Sequence, residues 1–262
     1  PPSWSMKKLR PPIQEKPYFF LLEEAQDFAL VPGAFFEALD YHRPDLVVLG
    51  SPNNPTGKVV GKPVLISALG RLSAWNGALL TDEAFMEFLP EESEWSMAGE
   101  VTKFDNLFVT RSLTKFYAVP GLRAGYLMTS SEAFKAYWET IKPVWGLNAF
   151  AEAYVMAALE DEAYIGKTKA ELSRLKSKLM SSLLRFKDLT LYSGEVNYVL
   201  IKVAGPCQST LKQELEVFGI LVRDCSNYRG LEAGFYRLAV LGDEDQARLM
   251  EALPSVLLTM DA

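Results

Sequence analysis

Histidine is nearly absent: the 262-residue chain has one, His42. A Ser-His-Asp mechanism or a histidine-built metal site therefore lacks its parts, and no metal is expected. General acid–base chemistry falls to another side chain, and lysine is the natural candidate. Cysteine is equally scarce. Cys207 and Cys225 form neither a C-x-x-C pair nor a zinc-ligand spacing, which excludes a disulfide framework and points to a reducing compartment. No apolar run approaches the roughly 20 residues of a bilayer span, and Pro1–Leu9 has no signal-peptide core. Positive charge is not in excess: 27 basic against 33 acidic residues leave a net charge of −6. That removes any general attraction for nucleic acid or an anionic membrane. A cytoplasmic location, with neither of those partners, is the expectation.

What is present is ordinary globular material, 49% hydrophobic and 23% charged, long enough for one or two domains. Short apolar runs alternate with helical spacing. Leu46–Leu49 is a buried-strand pattern, followed by the turn-rich Ser51–Gly57. Val64, Leu65, Ala68, Leu69, Leu72 and Trp75 recur at helical intervals. Further strands are expected at Ala78–Asp82, at Leu107–Val109 leading to Ser112, and from Leu122 to Met128. This alternation predicts an α/β layer with a mostly parallel sheet and ligand groups at the carboxyl ends of its strands. Beyond Pro143 the texture changes. Ala149–Phe186 is largely helical, its charges forming a solvated face. Strands follow at Asn197–Val203, Ile220–Val222 and Phe235–Val240, with a helix around Leu211–Phe218 and a last one opened by Asp243 as N-cap. The expected organisation is an N-terminal segment 1–16, a large domain 17–145 and a smaller α+β domain 146–262.

Four short stretches stand at strand ends. Ser51-Pro-Asn-Asn-Pro-Thr-Gly57 alone is a tight turn. Asp82-Glu-Ala-Phe85 alone is a capping or solvated carboxylate. Arg111-Ser-Leu-Thr-Lys115 and Pro120-Gly-Leu-Arg-Ala-Gly-Tyr126 alone are a basic loop. In this order they resemble the motifs of the class I/II aminotransferase superfamily of fold-type-I, pyridoxal-phosphate (PLP) enzymes. The resemblance implies a three-layer large domain around a mixed, mostly parallel sheet, a smaller C-terminal domain, and PLP joined covalently to the amine of Lys115. A lysine serving so must become neutral, which cationic or desolvated surroundings promote.

The remaining roles are likewise implied by the family. Asp82 matches the carboxylate that pairs with the pyridinium nitrogen and keeps the ring an electron sink. Asn54 matches the residue bonded to the phenolic oxygen, and is also expected at the substrate. Phe85 stands where many aminotransferases have Tyr, and it cannot donate the hydroxyl bond. Ser112, Thr114 and Arg123 match phosphate ligands; the step of eight residues from Lys115 to Arg123 is the family's. Arg237 matches the arginine for the substrate α-carboxylate, where a planar fork suits a planar anion. Asn148 and Asn197 stand where substrate-facing polar groups occur, and Arg223 is a candidate for a second substrate anion; a structural role for each remains open.

Two stretches point to a narrower group. Leu113–Arg123 and Ile220–Leu231, with Pro143–Ala149 beside them, are similar to the L-threonine-O-3-phosphate decarboxylases of cobalamin biosynthesis, relatives of the histidinol-phosphate aminotransferases. The first implies a phosphorylated amino-acid substrate yielding CO2 and (R)-1-amino-2-propanol phosphate; the second implies amine transfer. Relatives are homodimers, which implies the same here. Against the pattern, residues 1–16 and those from Pro17 resemble parts that are well separated in the family. The block between them would carry a glycine-rich turn for the phosphate, a ring-stacking aromatic and a tyrosine reaching the partner. Either the block is deleted or a segment near residue 16 is omitted. Omission is the expectation, because a domain without core strands would expose large apolar faces. A real deletion would favour a truncated, inactive PLP-fold protein. A PLP-fold regulator is disfavoured, since no basic DNA-binding segment appears.

Overall fold

The computed structural model describes residues 17–204 and 209–260; the expected segment 1–16 and Cys207 lie outside them. Two sheets organise the chain. The first has the order β1-β2-β3-β4, built from β1 (Leu46–Gly50), β2 (Ala78–Asp82), β3 (Leu107–Ser112) and β4 (Gly125–Met128). β1, β2 and β3 run parallel, while β4 is antiparallel to β3. A parallel neighbour requires a crossover. Between β1 and β2 it is supplied by α2 (Lys62–Ser73), whose Leu65, Leu69 and Leu72 are buried together with Leu79, Leu107 and Val109. Full burial of each such leucine is worth roughly 1.5–3 kcal/mol. A proline in the first turn starts α2, as it starts α1 (Pro32–His42), because that position has no hydrogen-bond partner to lose. Short helices α3 (Glu92–Trp95) and α4 (Leu113–Phe116) flank β3, and α5 (Glu132–Ile141) follows β4.

The expected strand from Leu122 begins later. Pro120–Leu122 forms a 3-10 turn, Arg123 adopts a left-handed conformation, and the strand starts only at Gly125. A Cβ at Gly125 would stand 2.7 Å from the Arg111 carbonyl oxygen, so close pairing with β3 begins where the side chain ends. The long helical stretch after residue 149 is two helices, α6 (Ala149–Glu160) and α7 (Glu162–Leu183). Asp161 separates them by accepting a bond from the Tyr164 amide, an N-cap that restarts the ladder.

The second sheet is antiparallel, in the order β5-β6-β8-β7, from β5 (Leu189–Tyr192), β6 (Tyr198–Val203), β7 (Arg223–Asp224) and β8 (Phe235–Ala239). α7, α8 (Leu211–Glu216) and α9 (Asp243–Met260) pack on it around Leu183, Val199, Ile201, Leu211, Leu215, Leu238 and Leu253. The expected strand Ile220–Val222 is displaced to Arg223–Asp224. Ile220 and Val222 do pack on the core, but the Ile220 amide is spent on the Leu215 carbonyl, so ladder pairing with β8 starts only at Arg223. Asp243 does open α9, but its carboxylate pairs with Arg174 and Lys178 of α7.

The two halves are joined by packing. Ala151 and Val155 of α6 and Tyr164 of α7 pack on Leu113, Phe116 and Tyr117. Met86 and Leu89 pack on Val196 and Tyr198. Phe28, reaching over from the N-terminal side, meets Tyr192 and Phe235 edge-on at 5.1 and 5.8 Å. Elsewhere apolar surface is open: Val48 on β1, Tyr126 on β4, and Val144, Trp145 and Phe150, the last three each more than 80% exposed. No helix among the described residues is long and apolar enough to cross a membrane.

Candidate active site

The ends of β1, β2 and β3 meet at one edge of the first sheet, and each delivers polar groups there. The turn after β1 is held by its own bonds. The Ser51 hydroxyl accepts from the Val60 amide at 3.0 Å, the Thr56 hydroxyl donates to Asn53 Oδ1 at 3.0 Å, and the Gly57 amide donates to the Asn53 carbonyl at 2.7 Å. Ser51, Thr56 and Gly57 are thereby buried while Asn54 projects, exposed. Asp82 ends β2, also exposed; its Oδ1 accepts from the Ala84 amide at 3.1 Å and the Thr110 hydroxyl at 3.3 Å. At the end of β3 the Ser112 and Thr114 hydroxyls lie 2.9 Å apart, and Lys115, one residue on, is exposed. The Leu113 amide donates to the Ala124 carbonyl and Ser112 pairs with Gly125, which brings Arg123 beside this corner. Its Nη1 donates to the Pro120 carbonyl at 3.1 Å.

The second sheet closes on this edge. Arg237 of β8 donates to Asn54 Oδ1 at 2.5 Å and stands 4.9 Å over the Tyr198 ring; the Tyr228 hydroxyl is 3.4 Å from the same Oδ1. The Tyr198 hydroxyl donates to the Asn53 carbonyl at 2.8 Å, and burial pushes its pKa up. Phe85 packs edge-on against Tyr198 at 5.3 Å and on Phe88 at 6.2 Å. Arg223 of β7 is the register partner of Arg237. It donates to Asn227 Oδ1 at 2.9 Å and lies 5.4 Å over the Tyr228 ring. The junction is tight: the Glu195 amide donates to the Gly57 carbonyl at 2.9 Å, and Lys176 of α7 donates to the Gly194 and Val196 carbonyls. Burial lowers the pKa of that lysine.

The two asparagines expected at the substrate differ in their surroundings. Asn148 caps α6 by accepting from the Ala151 amide at 2.9 Å, and its Nδ2 ties the helix to the Leu122 carbonyl at 3.1 Å. Asn197 lies just before β6 with a buried, unpartnered Oδ1. Sequence reasoning missed Tyr198 of β6, which meets the Asn53 carbonyl, and Tyr228 of the loop between β7 and β8, which meets Asn54. It also missed a buried ion cluster behind the sheet. Arg111 donates to Glu83 at 2.9 Å, to Glu87 at 3.0 Å and to the Ser96 hydroxyl at 2.8 Å. Burial raises the Glu83 and Glu87 pKa values against the pull of Arg111. The signal was there: Arg111 follows Leu107 and Val109 at the strand period of two, so it had to point into the core.

The donor set that the first sheet brings to this edge is one carboxylate, one amine, two hydroxyls, an amide and a guanidinium. It matches a molecule with a basic ring nitrogen, an aldehyde, a phenolic oxygen and a phosphate, which is what the motifs imply.

A model of the family "Aminotransferase class I and II" matches residues 14–253. The chain belongs to that family. It is 36% identical over 241 residues to the threonine-phosphate decarboxylase of Salmonella typhimurium, and 28% identical over 213 residues to a histidinol-phosphate aminotransferase of Methanococcus aeolicus. These alignments cover 90% and 81% of this chain but 64% and 56% of the relatives, so the chain spans about three fifths of their length. The crystal structure of the histidinol-phosphate aminotransferase from Clostridium acetobutylicum superposes with a TM-score of 0.83 at 28% identity, over 90% of this chain and 70% of that one. The fold is that of the fold-type-I transferases.

Proposed function

We propose that the protein is a PLP-dependent decarboxylase of L-threonine O-3-phosphate. The observation that carries the reading is the register pair Arg223–Arg237. Like charges directly opposite on one sheet face repel, and a ligand with two anionic groups relieves that cost. Phosphothreonine carries an α-carboxylate and a phosphate. Histidinol phosphate carries only the phosphate and leaves one arginine unmatched; the keto acid of an aminotransferase is itself a dianion, so the assay with and without 2-oxoglutarate decides between the two readings.

In this reading Lys115 holds PLP covalently, Asp82 faces its ring nitrogen, Asn54 its phenolic oxygen, and Ser112, Thr114 and Arg123 its phosphate. Bound there, PLP supplies an electron sink for the charge left on the substrate α-carbon. Arg237 orients the α-carboxylate and Arg223 the phosphate, with Asn54 between cofactor and substrate. With substrate bound, the Lys115 amine would be the group that moves a proton at the α-carbon. Phe85 contributes no hydroxyl and packs perpendicular to the Tyr198 ring.

We place the protein in the cytoplasm on its sparse cysteines, of which Cys225 is a buried free thiol. Homodimerisation is supported by the open apolar residues Val144, Trp145 and Phe150. The test is phosphothreonine with and without 2-oxoglutarate. CO2 release in both is expected; amine transfer that needs the keto acid and releases no CO2 sinks the reading. The PLP absorbance change of wild type, lost in Lys115→Ala, separates an enzyme from an inactive PLP-fold protein.

A further inference from the structure

The two strands that carry the candidate site have two distinct faces. On β2 and just beyond, Leu79, Thr81 and Glu83 are buried while Asp82 is exposed; on β3, Leu107, Val109 and Arg111 are buried while Thr110 and Ser112 are only half-buried. The alternation puts Asp82 and Ser112 on one face. Their immediate neighbours Glu83 and Arg111 are on the other, joined by a 2.9 Å ion pair between side chains no more than 4% exposed.

We propose that Arg111 is a positioning residue for the cofactor site: its guanidinium clamps Glu83 from behind the sheet and so fixes the offset between Asp82 on β2 and the Ser112–Lys115 corner on β3. The proposal rests on the cofactor reading of those residues. Every arm of the fork is used. Nε holds Glu83, Nη1 holds Glu87 and Nη2 holds Ser96. Glu83 in turn accepts from the Ser96 hydroxyl and the Met97 amide, both at 2.7 Å. The cluster therefore anchors β2 and β3 to the 92–97 segment as well as to each other. The last backbone links between the two strands are the Asp82–Thr110 pair and the bond from the Glu83 amide to the Thr110 carbonyl, whereas β3 runs on to Ser112 held on its other edge by β4. The clamp sits just past those last links. Lysine has the charge but one nitrogen, so it cannot hold three acceptors in a plane.

Two variants test this. Arg111→Lys keeps the charge and loses the fork. The triple variant Arg111→Met, Glu83→Gln, Glu87→Gln removes the buried charges together, which spares the fold an unpaired ion. Amide hydrogen exchange of the cofactor-free protein, read on residues 82–84 and 110–116, should rise at least tenfold in whichever variant folds, with α7–α9 unchanged. The PLP dissociation constant should weaken at least tenfold, and the midpoint of the pH titration of bound PLP absorbance should move. Wild-type exchange at those residues, or a folded variant with wild-type PLP affinity and pH midpoint, overturns the proposal. Failure of both variants to fold also overturns it, showing the cluster to be a folding element alone. A wild-type protein that binds no PLP refutes the cofactor reading instead, and the exchange measurement still decides the clamp.

Discussion

Gly57 and Gly194 touch backbone to backbone: a Cβ on Gly194 would lie 2.5 Å from the Gly57 Cα and from the Thr56 carbonyl oxygen. Gly57 itself has φ +71°, a left-handed conformation that glycine adopts freely. This contact seats the turn bearing Asn54 against the sheet bearing Arg237. Gly194→Ala should push the two apart. The expected loss is about 1–3 kcal/mol, as for overpacked cores, read from urea denaturation, together with weaker PLP binding.

Arg237 and Arg223 should behave differently towards truncated ligands. Arg237→Lys keeps the charge but not the fork, and loss of a charge-assisted bond is worth about 1.5–3 kcal/mol. KM for phosphothreonine should rise by at least tenfold. Arg223→Gln should raise KM for phosphothreonine while leaving inhibition by L-threonine, which lacks the phosphate, nearly unchanged. Equal losses for both ligands would remove Arg223 from the phosphate.

Asp82 is exposed, and its carboxylate accepts from the Ala84 amide and the Thr110 hydroxyl, bonds that an asparagine oxygen can also accept. Asp82→Asn should leave unfolding free energy within about 0.5 kcal/mol of wild type. Decarboxylation should nevertheless fall steeply, because the ring nitrogen would lose its carboxylate partner. A steady-state assay beside a denaturant melt checks both halves.

Glu87 lends the protein a pH dependence. Burial raises its pKa above the ordinary 4.5, Arg111 pulling the other way, and its Oε2 has no partner. A carboxyl with a raised folded-state pKa binds its proton more tightly when folded. Its contribution is therefore full below the ordinary carboxylate range and is lost as pH rises through the folded value. Glu87→Gln should flatten that fall and be neutral to about 1 kcal/mol stabilising at pH 8, with no gain at pH 4. Denaturant melts across that range measure it; a gain confined to acid pH reverses the sign and refutes the assignment.

Much of this was legible from residue order. The short apolar runs at Leu46–Leu49, Leu107–Val109 and Phe235–Val240 became strands, since brief apolar stretches bounded by turn residues suit a strand between packed layers. The turn chemistry of Ser51–Gly57 placed Asn54 at a strand end. What could not be read depended on partners distant in sequence. Tyr198 meets Asn53 across 145 residues and Tyr228 meets Asn54 across 174, and no local pattern encodes either. Ile220–Val222 has strand composition, yet its first amide was already taken by the end of α8. Asp161 divides a continuous helical pattern because its carboxylate competes for the backbone. Asn148, expected at substrate, spends both ends of its amide on α6 and the Pro120–Arg123 turn.

The alternation of β3 has one more consequence. Arg111 and Ser112 are adjacent, yet one serves the interior and the other the site. Sliding this strand by a single residue would put a hydroxyl where the guanidinium belongs and turn the guanidinium outward. Two buried glutamates would then face each other without a cation. Any misfolded register is thus penalised by charge as well as by lost packing. The strand that bears the chemistry proofreads its own alignment.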